Sequence, residues 1–289
     1  MSSVKRKLKT LTLAEKLEVL EGVKSCQMKK DVAKQFGLPM RKYRIESLSP
    51  ETFLGALKII EDDFFKDEVI SIALEVKNNP KAIEELLELC ADAALDCVSV
   101  VAVAVETGEV AAVLFNKIQV QSMDASEKPF FAIFAEERCT QASSRSLVEF
   151  MADIDGRCNF FNKYNVDCSF ELMFLGTKSG HRRCGLGKLL AQFSINIARK
   201  YKDLTITQLF VKDLGPKYAH LMPHKPYGTY PKICQAIMTT EGSRRIAKAL
   251  KFTVHLTLPL SKFVFNGKTY TERIGDESSF CEVVALALY

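Results

Sequence analysis

An α/β (α+β) domain, a mixed central sheet flanked by helices, is the fold class this sequence predicts, and three observations carry it. From residue 43 onward, strand-like and helix-like patterns interleave instead of segregating into blocks. Two apolar, β-branched runs, Val98 to Val105 and Val110 to Gln121, are joined by Glu106-Thr107-Gly108-Glu109, which has the composition of a hairpin turn. The apolar run Phe170 to Thr177 leads through Arg182-Arg183-Cys184-Gly185-Leu186-Gly187-Lys188 into a helical pattern of Leu186, Leu189, Leu190, Phe193 and Ile197.

Taken in order, Tyr43 to Ser47 reads as a first strand. Ser49-Pro50-Glu51 opens a helix with proline at its first position, and Phe53, Leu54, Leu57, Ile60 and Phe64 extend it toward Glu68. Pro80 to Leu95 reads as a second helix, followed by the two hairpin strands. Residues 122 to 145 read as loop, and Ser146 to Phe161 as a helix. After the Gly-rich turn and its helix, Thr205 to Lys212 is expected to be a strand. Gly215 to Gly228, with Pro216, Pro223 and Pro226, is expected to be a loop bordering the site. Thr240 to Lys251 reads as a helix, and Thr253 to Leu258 and Cys281 to Leu288 as closing strands.

The Gly-rich turn carries the chemistry. A strand-to-helix turn gathers unpaired N–H groups at the positive end of a helix dipole, where a pyrophosphate is held. Gly185 and Gly187 let backbone approach phosphate closely, and Arg182, Arg183 and Lys188 add positive charge. A dinucleotide fingerprint would need a third glycine at position 190, which is Leu.

Composition narrows the classes. An apolar fraction of 47% suffices for a packed core, and no apolar run approaches a membrane span, so no membrane partner is expected. The basic start Met1 to Lys7 is followed by no apolar stretch before Leu11 and by no cleavage signature, so no secretory signal is expected. Nine cysteines without a C-x-x-C pair indicate reduced thiols in the cytosol or nucleus, chiefly as small apolar side chains. The formal charge of +5 hides an asymmetry. Residues 1 to 44 hold twelve Lys/Arg against four acidic residues, a net of +8, which leaves −3 for the remainder.

That basic stretch predicts two short helices, Thr10 or Thr12 to Lys24 and Lys29 to Gln35, closed by Phe36-Gly37. Residues 4 to 40 resemble the DNA-binding region of centromere protein B and pogo-type transposases. The likeness stops where Arg41 to Pro50 reads as strand and turn, so the recognition helix of that family has no counterpart. Residues 1 to 42 are therefore expected to be an incomplete helix-turn-helix segment. Residues 1 to 44 either make weak, non-specific nucleic-acid contact through phosphates or form a basic appendage without that role.

Arg182-x-x-Gly185-x-Gly187 resembles the acetyl-coenzyme A loop of the GCN5-related N-acetyltransferase superfamily, and the order of elements from 43 to 289 is similar to that fold. Within it, Asp63-Phe-Phe-Lys-Asp-Glu68, the loop itself and Met238-Thr-Thr-Glu-Gly-Ser243 through Phe252 most resemble insect-type arylalkylamine N-acetyltransferases. The resemblance implies acetyl-CoA as cosubstrate, held by Leu175, Gly176 and Thr177 of the central strand and by Arg182, Arg183, Cys184, Gly185, Leu186, Gly187 and Lys188. It implies Glu68 as proton acceptor for the amine, with Val69 standing where the family has proline. Thr239 would be the hydroxyl linked to that base, and Ser243 the hydroxyl near the coenzyme sulfur. Thr239 or Thr240 can equally N-cap the following helix. The small-molecule acceptor implied is an arylalkylamine of the dopamine, serotonin or tyramine type, attacked directly in a ternary complex. A polyamine or protein amine acceptor is the alternative, as is a nucleic-acid-associated protein with a degenerate acetyltransferase domain.

Other candidates carry less. His220 and His224 flank Pro223 without a third ligand, so no metal site is expected. Cys184 is not needed as a nucleophile in direct transfer. Tyr227 and Tyr230 can line an aromatic pocket or pack as loop tyrosines.

Overall fold

Continuous apolar strands such as Val100–Ala104, all five residues of which are buried, need cover on both faces, and the chain supplies helices to each. The computed structural model describes residues 42–122, 124, 127–203, 208–224 and 227–289, of which Tyr43–Tyr289 form one compact unit. The helix pair and basic contact surface expected of residues 1 to 44 lie, up to position 41, outside the described residues.

Strand β1 (Tyr43–Ser47) is followed by helix α1 (Pro50–Ile59), a π-helical turn Ile60–Phe64, a helical turn Phe65–Asp67 and the short α2 (Val69–Ala73). Then come α3 (Pro80–Ala94), β2 (Val100–Ala104), β3 (Val110–Val120), α4 (Phe130–Arg138), α5 (Ala142–Arg157), α6 (Phe160–Tyr164) and β4 (Cys168–Thr177). The chain continues through α7 (Leu186–Lys200), β5 (Ile233–Met238), α8 (Glu241–Ala249) and β6 (Thr253–Pro259). It ends with a small hairpin β7 (Val264–Phe265) and β8 (Lys268–Thr269), α9 (Tyr270–Ile274) and β9 (Phe280–Ala287). The main sheet has the order β1-β2-β3-β4-β5-β9-β6. Only β4 and β5 run parallel.

Two apolar layers sandwich the sheet. Phe53, Ile60, Phe65, Leu89, Phe115 and Phe131 belong to one, and Leu114, Phe170, Leu186, Leu190 and Ile195 to the other. No helix among the described residues is long and apolar enough to cross a membrane.

Four sequence expectations change. The strand expected over Thr205 to Lys212 is absent from its described part: residues 208 to 210 are irregular and Val211–Leu214 is a 3₁₀ turn. The strand beside β4 is instead Ile233–Met238, whose pairing with β4 and β9 decides the matter where local β-propensity does not. Residues 122 to 145 contain helix α4, and α5 begins at Ala142, earlier than Ser146. That helix also stops at Arg157, because Asn159 starts α6 by accepting from the Asn162 N–H. The Pro-rich loop 215–228 does not border the candidate cavity in its described part.

A buried ionic cluster ties that loop to the sheet instead. Asp96, fully enclosed, accepts from Ile118 N–H (2.8 Å), Lys117 Nζ (3.1 Å) and Tyr227 Oη (2.8 Å), and lies 2.6 Å from His224 Nδ1. Burial pulls the His224 pKa down and Lys117 repels its charge, but the bonds to Asp92 and Asp96 outweigh both and raise it to about 9. A folded-state pKa above the ordinary 6.5 means this stabilisation is complete below pH 6.5 and is lost as pH rises through about 9. Urea midpoints are expected to fall across that window. His224→Gln should flatten the fall, and an unaltered slope would exclude His224 as its source.

Candidate active site

Parallel pairing of β4 with β5 lasts only from Ser169↔Ile233 to Leu172↔Ala236, after which the strands part. At the same level the β3–β4 register slips, so that Phe115 faces Phe174 and Asn116 faces Leu172, leaving Met173 as the extra residue of a β-bulge. The resulting wedge opens a cavity of about 690 Å³, lined by Leu172 to Thr177 on one side and Ile237 to Thr240 on the other. Splayed strands leave main-chain groups of β4 without a strand partner on the β5 side, where a carbonyl oxygen can be received.

Glu68 reaches this cavity because the helix breaks under it. The π-helical turn Ile60–Phe64 adds a residue to the helix, and Asp63, Phe64, Asp67 and Glu68 all line the wedge. Glu68 itself is extended (φ −75°, ψ 131°) and N-caps α2, its Oε2 accepting from Ser71 N–H (2.7 Å) and Ser71 Oγ (2.9 Å). A proline at position 69 would favour this same backbone; with Val69 the cap to Ser71 holds it. The other oxygen, Oε1, accepts from Thr239 Oγ1 at 2.8 Å, joining residues 171 positions apart.

The hydroxyls of the β5–α8 junction divide their work. Thr240 is the N-cap of α8, its Oγ1 accepting from Ser243 N–H (3.2 Å), and Ser243 Oγ accepts in return from Thr240 N–H (3.1 Å). Thr239 is thereby released to bond Glu68. Ser243 lines the cavity, and its Oγ also donates to the Thr240 carbonyl at 2.9 Å, so it is a cap residue as well. Thr240→Ala should cost about 0.5–2 kcal/mol of stability, read as a lower urea midpoint. An unchanged midpoint would deny the cap.

The Gly-rich turn closes the open end of the wedge. Gly185 N-caps α7 with φ +75°, and Arg183 also adopts positive φ (60°). The first-turn N–H groups of a helix have no acceptor within it, so those of Leu186, Gly187 and Lys188 are available to an anion. At Gly187 a Cβ would come within 3.0 Å of Ile246 Cδ1 and 3.2 Å of Leu175 Cδ2, so the glycine permits close packing of α7 on β4 and α8. Arg183 and Lys188 line the cavity and form no ion pair among the described residues. Arg182 is engaged: its guanidinium meets Asp67 at 2.5 Å and Asp63 at 3.5 Å, and Asp63 also accepts from Ser179 N–H. This turn fits a pyrophosphate through backbone amides and two unpaired cations.

Glu68, Thr239, Ser243, Leu175, Gly176, Thr177, Arg182, Arg183, Gly185, Gly187 and Lys188 thus share one cavity. Two of the expected residues do not line it. Leu186 is 2% exposed and packs into the core beneath α7, while the Cys184 thiol points to the Tyr43 hydroxyl at 3.6 Å. Tyr227 is held by Asp96 and Tyr230 packs on Tyr289, so neither is part of the wall. His220 lies against Glu88, and no group of metal-ligating side chains occurs among the described residues. Sequence reasoning missed Asp63 and Asp67, whose roles depend on the π-turn, and Glu171, an acid inside an apolar strand.

Comparison with solved structures places this architecture. The structure superposes on arylalkylamine N-acetyltransferase 2 from Aedes aegypti with a TM-score of 0.65 over 86% of this chain and 100% of that one, at 17% identity. The chain has the GCN5-related N-acetyltransferase fold. The same N-acetyltransferase architecture recurs in Drosophila melanogaster polyamine N-acetyltransferase, described as forming N-acetylagmatine (TM-score 0.62, 11% identity, 85% of this chain and 99% of that). It recurs too in the C-terminal condensation domain of Ebony in complex with β-alanyl-dopamine (0.57, 12%, 86% and 100%). At such identities the likeness speaks for the fold alone. No protein-family model matches the sequence. No curated protein matches it either.

Proposed function

We propose that the protein is an N-acetyltransferase that moves acetyl from acetyl-CoA to the amine of a small arylalkylamine in a ternary complex. The observation that carries this reading is the Thr239–Glu68 hydrogen bond at 2.8 Å in the same cavity as the Gly-rich turn. Bound acetyl-CoA supplies a thioester: the amine nitrogen forms the C–N bond, the C–S bond breaks, and coenzyme A leaves as its thiolate.

The chain's own groups do the rest. Backbone amides of the α7 N-terminus, with Arg183 and Lys188, bind the pyrophosphate, and the unpaired edge of β4 near Leu175 to Thr177 receives the acetyl carbonyl oxygen. Glu68 takes the amine proton, directly or through Thr239, whose hydroxyl can accept a proton as it passes its own to Oε1. Phe64, Phe150, Phe174, Leu147, Met151 and Ile237 make the acceptor wall apolar and aromatic, which suits an aryl group.

A polyamine acceptor is the second reading, favoured by the four carboxylates Asp63, Asp67, Glu68 and Glu171 along the cavity. Two of those, Asp63 and Asp67, are committed to Arg182. Thiol release from acetyl-CoA, measured over a panel of arylalkylamines, polyamines and lysine peptides, tests the proposal. Turnover with tyramine or dopamine ahead of spermidine is expected. No release with any amine would overturn it.

A further inference from the structure

Glu171 is an anomaly in the cavity. It is 1% exposed, lies in an otherwise apolar stretch of β4, and lines the wedge among Leu147, Phe150 and Met151. One of its carboxyl oxygens accepts from Gln119 Nε2, and the other has no partner among the described residues. That oxygen is open to the cavity, where a hydrogen-bonding group of a ligand can reach it. In the β4–β5 ladder Glu171 sits opposite Gln235, one pair before the strands part, so it marks the closed end of the wedge. Thr239 is four residues beyond Gln235, about 13 Å along the strand, at the open end beside Glu68.

We infer that Glu171 reads the far end of the acceptor, bonding the ring hydroxyl of a hydroxylated arylalkylamine whose amino group lies at Glu68 and Thr239. This rests on the acceptor site proposed above. Apolar walls between the two carboxyl groups match an aryl ring with a donor at one end and an alkylamine at the other. Burial, and then the Asp155 carboxyl nearby, push Glu171 well above the usual carboxylate range, which favours its protonated form. A neutral carboxyl both accepts from and donates to a hydroxyl without any proton leaving. A second ammonium group would instead have to expel the proton from this buried pair, which disfavours a diamine.

Tyramine and phenethylamine differ only by the hydroxyl and isolate its contribution. Their affinities for the full-length protein are measured by calorimetry, alongside thiol release from acetyl-CoA. Wild type is expected to favour tyramine by about tenfold, the equivalent of one good hydrogen bond. Glu171→Gln, which keeps a donor and an acceptor, should retain most of that preference, and Glu171→Leu should bring the ratio close to one. A wild type without the preference, or a folded Glu171→Leu that keeps it, overturns the inference. So does a loss on Glu171→Leu that falls on agmatine instead of tyramine. The calorimetric ratio decides about Glu171 even if no amine is turned over, an outcome that separately removes the acetyltransferase reading.

Discussion

Glu68→Gln is expected to lower turnover of the preferred amine by on the order of a hundredfold or more, with acetyl-CoA affinity little changed. The substitution preserves shape and leaves an oxygen to accept from Thr239, but removes the basic site that takes the amine proton. The coenzyme cradle lies on the α7 turn and does not use Glu68, so binding and turnover should separate. Thr239→Val gives the companion measurement. It removes the hydroxyl bonded to Oε1 at 2.8 Å, and Thr239→Ser should restore most of the rate if that hydroxyl passes a proton. Turnover by Glu68→Gln within a factor of about two of wild type at every pH would remove Glu68 from this role, since a general base contributes far more than that.

Arg183→Glu combined with Lys188→Glu is the second large expected effect: acetyl-CoA binding should weaken by on the order of a hundredfold at low salt, and by less as salt screens the charges. Both cations line the cavity without an ion pair among the described residues, so no described carboxylate offsets them before an anion arrives. Arg182 provides the contrast. Its guanidinium is held by Asp67 and Asp63, and Asp63 also accepts from the Ser179 N–H. Arg182→Ala should therefore loosen the turn more than it removes free charge, and should show a weaker salt dependence than the double reversal. Calorimetric titrations with coenzyme A at two ionic strengths separate the cases. Equal affinities for wild type and the double variant would deny the turn its proposed ligand.

Much of this site was legible in the letters because its parts are local. A strand, two glycines and an amphipathic helix are close in sequence, and backbone geometry alone brings them into one turn. Thr239, Thr240 and Ser243 were legible for the same reason, since a cap is a three-residue matter, but the letters did not say which threonine caps. Thr240 takes the cap and frees Thr239. The strand that pairs parallel with β4 is Ile233–Met238, whereas the described part of the expected strand, residues 208 to 212, is irregular and then a 3₁₀ turn; pairing with β4 and β9 decides this, and local β-propensity does not.

The sequence by itself determined the α/β class and the Gly-rich turn with its cations, and it singled out one carboxylate and the hydroxyls of the β5–α8 junction. Tertiary structure alone decided what those groups face. The bulge at Met173 and the parting of β4 from β5 are relations between strands, and the π-turn that brings Asp63 and Asp67 to Arg182 has no proline or glycine to announce it. The Glu68–Thr239 bond and the unpaired oxygen of Glu171 at the closed end of the wedge arise only when distant segments pack. Long-range pairing fixes which buried polar groups are satisfied and which are left for a ligand.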